Sequence, residues 1–529
     1  MNSTTTRAAF EAARATQSVI PVRREIFADA DTPVSIYRKV AASRPGTFLL
    51  ESAEQGGVWT RFSFVGAGSF GVLSERDGKA AWRPSGSELT EERLLPGGVS
   101  SLAPVVALSA VYDRWRAPHD PDLPPLASGF VGYLGWETVR QFENLPENTK
   151  PGSNLPSQGL SFVSELVVID HREGSVVLLA NVLNDSVLGE SGAGADTDAD
   201  ADAQWADAQA RLDALQAALA EPLASPLNTI DRDALADPAR LTTSPEFEAA
   251  VLRAKQYIVD GDIFQVVPSQ RFDQECTADP LDVYRVLRHL NPSPYLYLLQ
   301  LEDSDGEPFA VVGSSPEALV TIQASGDVMT HPIAGSRPRG ATVDEDQFFE
   351  RDLLADEKER AEHLMLVDLA RNDLARVCDP ASVEVTEFMR VERFSHIMHI
   401  VSSVEGKIAE GNSPIDVFRS TFPAGTLSGA PKPRALEIID ELEPVRRGVY
   451  GGVVGYFGFG GAADLAIAIR TATIKDGVAM IQAGAGIVAD SVPASEDEEC
   501  RNKAAAPLRA VAIANSLRAA VEEKAHHAE

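Results

Sequence analysis

Two short acidic spacings are the residues of this chain best suited to a divalent cation. Glu359 and Glu362 lie three apart in KERAEHLMLVDLARND (358–373), and Glu496 and Glu499 repeat the spacing in SEDEECRNKAAA (495–506). On a helix such residues project from one face. Magnesium takes oxygen ligands, keeps waters and is held by one or two carboxylates plus an anionic substrate group. Two pairs on facing helices suit that ion, whereas either pair alone reads first as a solvated face of an acidic protein. Arg470, Tyr450 and Lys503 follow the same logic. A guanidinium gives bidentate carboxylate recognition and an ammonium a point charge, which with a divalent cation would serve a small di-acid. Singly, each is more often structural or exposed. His363, His396 and His399 sit among apolar neighbours, where a core histidine satisfied by a backbone carbonyl is the default. There is no HExxH and no GxSxG, against a zinc protease and one class of serine hydrolase. The glycines of GVYGGVVGYFGFGG (448–461) and AGAGIV (483–488) match neither nucleotide-binding fingerprint, so ATP and NAD are poor candidates.

These side chains belong to 529 residues in which acidic residues outnumber basic ones 78 to 47, a net charge of −31. Such a field repels phosphate backbones and anionic lipid, which disfavours nucleic-acid and membrane-surface roles. An anionic substrate would need a local positive site. With 44% hydrophobic residues and a mean hydropathy of −0.10, the composition is globular. Cys276, Cys378 and Cys500 are odd in number and too far apart for a zinc pair, which fits a reduced, cytoplasmic setting. The first twenty residues lack the apolar core of a signal peptide. The most apolar stretch, 448–469, is broken by glycines and carries Asp464, so a soluble protein is expected.

The clearest composition break is ESGAGADTDADADAQ (190–204), expected to be a disordered surface insertion. Trp205, Ala208, Leu212, Leu215 and Leu219 then recur at spacings of three and four, predicting an amphipathic helix. Pro222, Pro226 and Pro238 punctuate a connector, dividing the chain into an N-terminal lobe, 1–239, and a second lobe, 240–529. Strands are expected at 47–50, 62–65, 161–169, 175–179, 263–268, 309–313, 318–322, 452–459, 465–474 and 478–483. Helices are expected at 245–260, about 348–372 and from 497. Strands and helices without strict alternation indicate an α+β fold.

From about 240 to 515 the chain resembles the chorismate-utilising enzyme family. The resemblance rests on GDIFQVVPSQRF (261–272), GSSPE (313–317), PIAGSRPRG (332–340), the glutamate segment at 358–374 and FSHIMHIVSSVEG (394–406). It continues in TFPAGTLSGAPKPRALEII (421–439), YGGVVGYFG (450–458), AIAIRTA (466–472) and QAGAGIVADSVPASEDEECRNK (482–503). It implies an α/β sandwich of two interleaved lobes, with antiparallel-rich sheets flanked by helices. It also implies Mg²⁺ held by Glu362 and Glu499, with Glu359 and Glu496 holding its waters beside the ring carboxylate of chorismate. By the same resemblance Glu317 is the general acid, His399 sits near the leaving hydroxyl and Thr426 lines the ring. Tyr450 and Arg470 would grip the enolpyruvyl carboxylate, and Gly484 and Gly486 would offer backbone N–H groups. Lys503 would add positive charge, and Gln265, Ala334, Gly335 and Ala485 complete the substrate-binding set.

Two positions bear on which family reaction is implied. Members that add water to chorismate carry a lysine general base where this chain has Gln265, and a neutral amide cannot deprotonate water. Ammonia needs no such base. Members that form 4-amino-4-deoxychorismate carry a nucleophilic lysine in PIKGT, where this chain has Ala334. The implied product is anthranilate, with ammonia supplied by a separate glutamine amidotransferase subunit in an α₂β₂ complex. Leu50, Glu51 and Ser52, with Asn291, Pro292, Ser293, Pro294, Tyr295 and Leu296, resemble a tryptophan pocket, implying feedback inhibition. The alternatives are a 4-amino-4-deoxychorismate synthase, which can keep such a pocket, and a non-catalytic tryptophan sensor.

Overall fold

A computed structural model of the chain describes residues 4–41, 43–52, 61–146, 152–188, 198–223, 227–393 and 397–519. Its centre is a 20-stranded antiparallel network built on two long strands, Phe62–Arg76 and Gln158–Asp170, which pair along most of their length. At one end Phe64–Gly66 joins strand Phe48–Glu51, and the sheet continues through Tyr295–Glu302, Pro308–Ser315, Thr471–Lys475, Val478–Gly484 and Ser269–Glu275. At the other end residues 158–162 join Gly129–Leu134, followed by Val453–Gly458, Ala463–Ile467, Ala318–Ile322, Asp327–Thr330 and Ile397–Lys407. The fold is therefore α+β, with antiparallel sheets flanked by helices.

The two directions meet at bulges between Gly66 and Gly71, where extra residues bend the strand. Close approach explains the glycines. A Cβ at Gly66 would fall 2.2 Å from the Phe48 ring, and one at Gly68 2.0 Å from Glu165 Oε2. Packing crosses the midpoint of the chain as the pairing does. Phe162 meets Trp115 at 5.7 Å and Phe459 at 5.0 Å, both edge-on. A second cluster joins Phe10 and Tyr37 to Tyr284, Leu287 and Val511.

Several expectations need correction. Of the Ala/Asp segment, 190–197 lie outside the described residues, but 198–204 open the helix Asp198–Ala220 rather than an unstructured insertion. Alanine is the strongest helix former, and Ala201 is buried in line with Ala208, Leu212, Leu215 and Leu219 while Asp200 and Asp202 face solvent. The long helix is two, Val343–Ala355 and Glu357–Ala375, because the Asp356 carboxylate accepts from the N–H groups of Lys358 (3.0 Å) and Glu359 (3.2 Å) and starts the chain afresh. The expected strand 465–474 is broken at Arg470, whose φ is +53°, and the strand at 263–268 is reduced to Gln265–Val266. The final helix begins at Pro493, earlier than expected, because proline suits a helix's first turn. The three cysteines are buried and free. No described helix is long and apolar enough to cross a membrane.

Candidate active site

Glu317 follows the strand Pro308–Ser315, and its carbonyl accepts from Ile467 N–H at 2.9 Å, which ties it to the strand Ala463–Ile467. Thr426, on a single 3₁₀ turn, donates its hydroxyl to Glu317 Oε1 at 2.9 Å. Burial pushes the Glu317 carboxyl up to about 7, against the opposing effects of the Thr426 hydrogen bond and the Lys503 charge. A carboxylic acid poised there can donate a proton at neutral pH.

His399 stands opposite Ser336 on strand Ile397–Lys407. Gly335 lies at the bulge between Ala334 and Ser336 with φ +71°, and its carbonyl accepts from His399 Nδ1 at 2.9 Å. Because a carbonyl can only accept, the proton is on Nδ1 and Nε2 is an acceptor. Burial holds the imidazole below its ordinary value, with the Arg470 charge assisting and the Gly335 carbonyl opposing. A Cβ at Gly335 would lie 3.0 Å from Glu359 Oε2, so the bulge also seats the first carboxylate pair. Ala334 is buried beside it.

The cationic side forms one connected group. Arg470 Nη1 donates to the Lys503 carbonyl at 2.9 Å, while Lys503 Nζ donates to the Gly484 carbonyl at 3.0 Å and pairs with Glu499 at 2.7 Å. The Tyr450 hydroxyl lies 3.0 Å from where a Gly484 Cβ would stand. Burial lowers Arg470 from its ordinary value, with Tyr450 and Glu499 opposing, and burial raises Tyr450. The left-handed backbone at Arg470, costly for a residue with a side chain, is the kind of strain that functional sites store. Ala485 is fully buried and its N–H donates to the Pro268 carbonyl at 3.2 Å, so it offers no donor to a ligand.

Gln265 Nε2 donates to Glu362 Oε1 at 2.9 Å, and Gln265 Oε1 is buried without a hydrogen-bond partner. A Cβ at Gly486 would come within 2.8 Å of that amide nitrogen. Glu359 is raised first by burial and then by the Glu362 charge. Glu496 is raised by burial and by Glu499, against Ser491, Lys358 and Lys503. The influence of Lys358 on Glu496 reaches from one glutamate helix to the other. Among the described residues no three His, Cys, Asp or Glu side chains gather as a metal-holding group. The donor type nevertheless suits magnesium, since each helix offers a half-buried carboxyl disfavoured as an anion by burial and by its neighbour. His396 lies outside the described residues, and His363 belongs to the core. Its Nε2 meets Ser402 Oγ at 2.6 Å, rather than a carbonyl, and burial lowers it to about 4.

The second candidate site lies where Glu51 pairs in register with Leu296. Leu50, Glu51, Ser52, Pro294, Tyr295 and Leu296 line a cavity of about 1050 Å³. Asn291, Pro292 and Ser293 do not line it. Asn291 instead donates to Ser314 Oγ at 3.3 Å and fixes the turn. Two partners of Glu51 escaped the sequence reading. Tyr284 donates to one carboxylate oxygen, and Arg288 reaches both, at 3.0 and 3.1 Å. Asp464 lines the same cavity, with its carboxyl pushed up to about 7 by burial against a Tyr295 hydrogen bond. Asp464 Oδ1 and Ser52 Oγ are both buried without partners. The lone acid in an apolar run was the only available signal for Asp464.

A family model described as chorismate binding enzyme matches residues 88–509. A relative from Arthrobacter globiformis named anthranilate synthase component 1 is 52% identical over 503 residues, covering 94% of this chain and 91% of its own. One of the same name from Mycolicibacterium smegmatis is 50% identical over 517 residues, covering 97% and 95%. Among solved structures, anthranilate synthase component I from Streptococcus pneumoniae superposes with a TM-score of 0.69 at 32% identity, covering 91% of this chain and 98% of that one. The menaquinone-specific isochorismate synthase from Escherichia coli gives 0.64 at 20% identity, covering 94% and 95%, a likeness of fold alone.

Proposed function

The chain belongs to the chorismate-binding enzyme family, and from that membership we propose that it is the chorismate-consuming component of an anthranilate synthase. The observation that carries amination rather than hydration is Gln265, an amide already donating to Glu362 where a water-activating member would need a base. Ammonia adds at C2 of chorismate, both ring double bonds shift by one position, and the C4 hydroxyl departs as water with the proton of Glu317. This gives 2-amino-2-deoxyisochorismate, and loss of the C2 proton with pyruvate yields anthranilate. Thr426 orients the acid, His399 accepts near the leaving hydroxyl, and Arg470 with Tyr450 holds the enolpyruvyl carboxylate. Mg²⁺, held by Glu362 and Glu499 with Glu359 and Glu496 at its waters, would neutralise the ring carboxylate. A glutamine amidotransferase subunit supplies ammonia in an α₂β₂ complex in the cytoplasm.

The deciding experiment is product identification with chorismate, Mg²⁺ and ammonium at mildly alkaline pH. Anthranilate is expected, while isochorismate or 4-amino-4-deoxychorismate would sink the roles given to Gln265 and Ala334. Chelation with EDTA should abolish turnover without changing the circular-dichroism spectrum, and Mg²⁺ should restore it.

The cavity beside Glu51 is proposed to bind tryptophan, with Ser52 and Asp464 offering their unpartnered oxygens to its polar end. Inhibition requires only that tryptophan favour a less active arrangement. Ser52→Arg should fill the pocket and raise the tryptophan concentration for half-inhibition by about 100-fold or more, the scale of a lost buried polar contact plus a clash. The ratio of rates with and without tryptophan reads this directly, and an unchanged ratio would remove Ser52 from the pocket.

A further inference from the structure

Away from both sites, the outer side of the helix Pro280–Leu290 and the end of the helix Pro493–Ser516 enclose a cavity of about 270 Å³. Its rim carries Arg232, Arg285, Arg509 and His289, and none of its lining residues is acidic, although the chain as a whole carries −31. Its floor is aliphatic, with Val286, Ile513 and Leu517 among the residues facing the space. Arg285 is already paired, donating to Asp282 at 2.6 Å. Among the described residues Arg232 and Arg509 have no carboxylate partner, and Arg509 Nη2 donates to the Arg232 carbonyl at 3.0 Å, which keeps the two stems together. Asn228, in the short strand opposite Ala519, leaves its amide oxygen buried and without a partner in the same wall.

Cationic groups clustered against an acidic surface attract an anion, and guanidinium forks match a carboxylate. The aliphatic floor asks for an apolar body, and a bare inorganic ion would leave it unfilled. The orphaned Asn228 oxygen asks for one hydrogen-bond donor on that body. We propose that this cavity binds a small aromatic carboxylate bearing a ring hydroxyl or amino group, its carboxylate at Arg232 and Arg509 and its ring on Val286 and Ile513. The same helix presents Tyr284 and Arg288 to Glu51, so the cavity lies one helix away from the pocket that holds Ser52.

The probe is 4-hydroxybenzoate, titrated calorimetrically into the full chain with tryptophan saturating. A single additional site is expected, weakened by at least about tenfold in the double variant Arg232→Gln/Arg509→Gln, as removal of two charge-assisted contacts requires. Both side chains are at the surface, and an unchanged melting curve and chorismate turnover would show that the variant is intact. Asn228→Leu should weaken 4-hydroxybenzoate while leaving benzoate unchanged. No binding to the parent chain, equal affinity in the double variant, or inorganic phosphate binding as tightly as 4-hydroxybenzoate would each overturn the proposal.

Discussion

Glu317→Gln is expected to lower kcat for chorismate consumption by about 10²- to 10⁴-fold, the range for losing a positioned acid, with KM changed little. The same substitution should raise the melting temperature above pH 7. In the folded chain the carboxyl titrates near 7, against an ordinary 4.5 when unfolded. Between those values the unfolded chain releases the proton while the folded chain keeps it, so stability falls as pH rises from 4.5 to 7 and is level above. The full difference is about 3 kcal/mol at ~1.4 kcal/mol per unit. Glutamine carries no charge and removes that penalty, so activity and stability move in opposite directions. The parent kcat should fall as pH rises through about 7, when the acid becomes a carboxylate. A variant with full activity, or one with an unchanged pH slope of stability, would show that Glu317 is not held as an acid.

The second large effect concerns the support beneath the site. Arg447 and Glu443 are 1% and 4% exposed and share a fork of contacts between 2.6 and 3.1 Å. Arg447 also donates to the Leu427 and Val267 carbonyls and lies 4.1 Å over the Trp136 ring, while Glu443 accepts from Ser269 N–H and hydroxyl. Arg447→Met would leave Glu443 buried without its counter-charge, a loss of about 3–5 kcal/mol. Against a typical total of about 5–15 kcal/mol this is a large fraction. Urea unfolding should show the midpoint drop, and Arg447→Met with Glu443→Leu should recover most of it, since neither charge is then stranded. If the double variant unfolds as early as the single, the ion pair is not the source of the loss. The guanidinium also lies 5.5 Å from the Tyr450 ring centroid, so chorismate KM should rise in the single variant.

Much of this was legible in the residues, because periodicity and motif order are local properties. Ala318–Ile322 forms as expected, and Glu317, Thr426, His399, Arg470 and Lys503 come from ordered motifs. What escaped depends on distant partners or on a single backbone angle. Glu51 is held by Tyr284 and Arg288, more than two hundred residues away, and no local pattern couples them. The break at Arg470 interrupts a run whose composition favours one continuous strand, and only the tertiary site explains a positive φ there. Asp356 reads as another acid of an acidic helix until its carboxylate is seen capping the next one. In the Ala/Asp segment, composition argued for solvation, while burial of Ala201 and its heptad mates decided the outcome for 198–204.

The strand pairing also constrains the order in which a newly made chain can fold. Residues 48–51 emerge from the ribosome early, yet their partner on one side, 296–299, is made only after about half of the following sequence. The strand Gly129–Leu134 likewise waits for Val453–Gly458. Until those late segments arrive, the early strands carry unpaired edges with apolar faces, a setting in which chains associate with one another. Contacts of such long sequence separation slow closure of the sheet. The first half of the chain therefore cannot complete its sheet until residues 296–299 and Val453–Gly458 have been made.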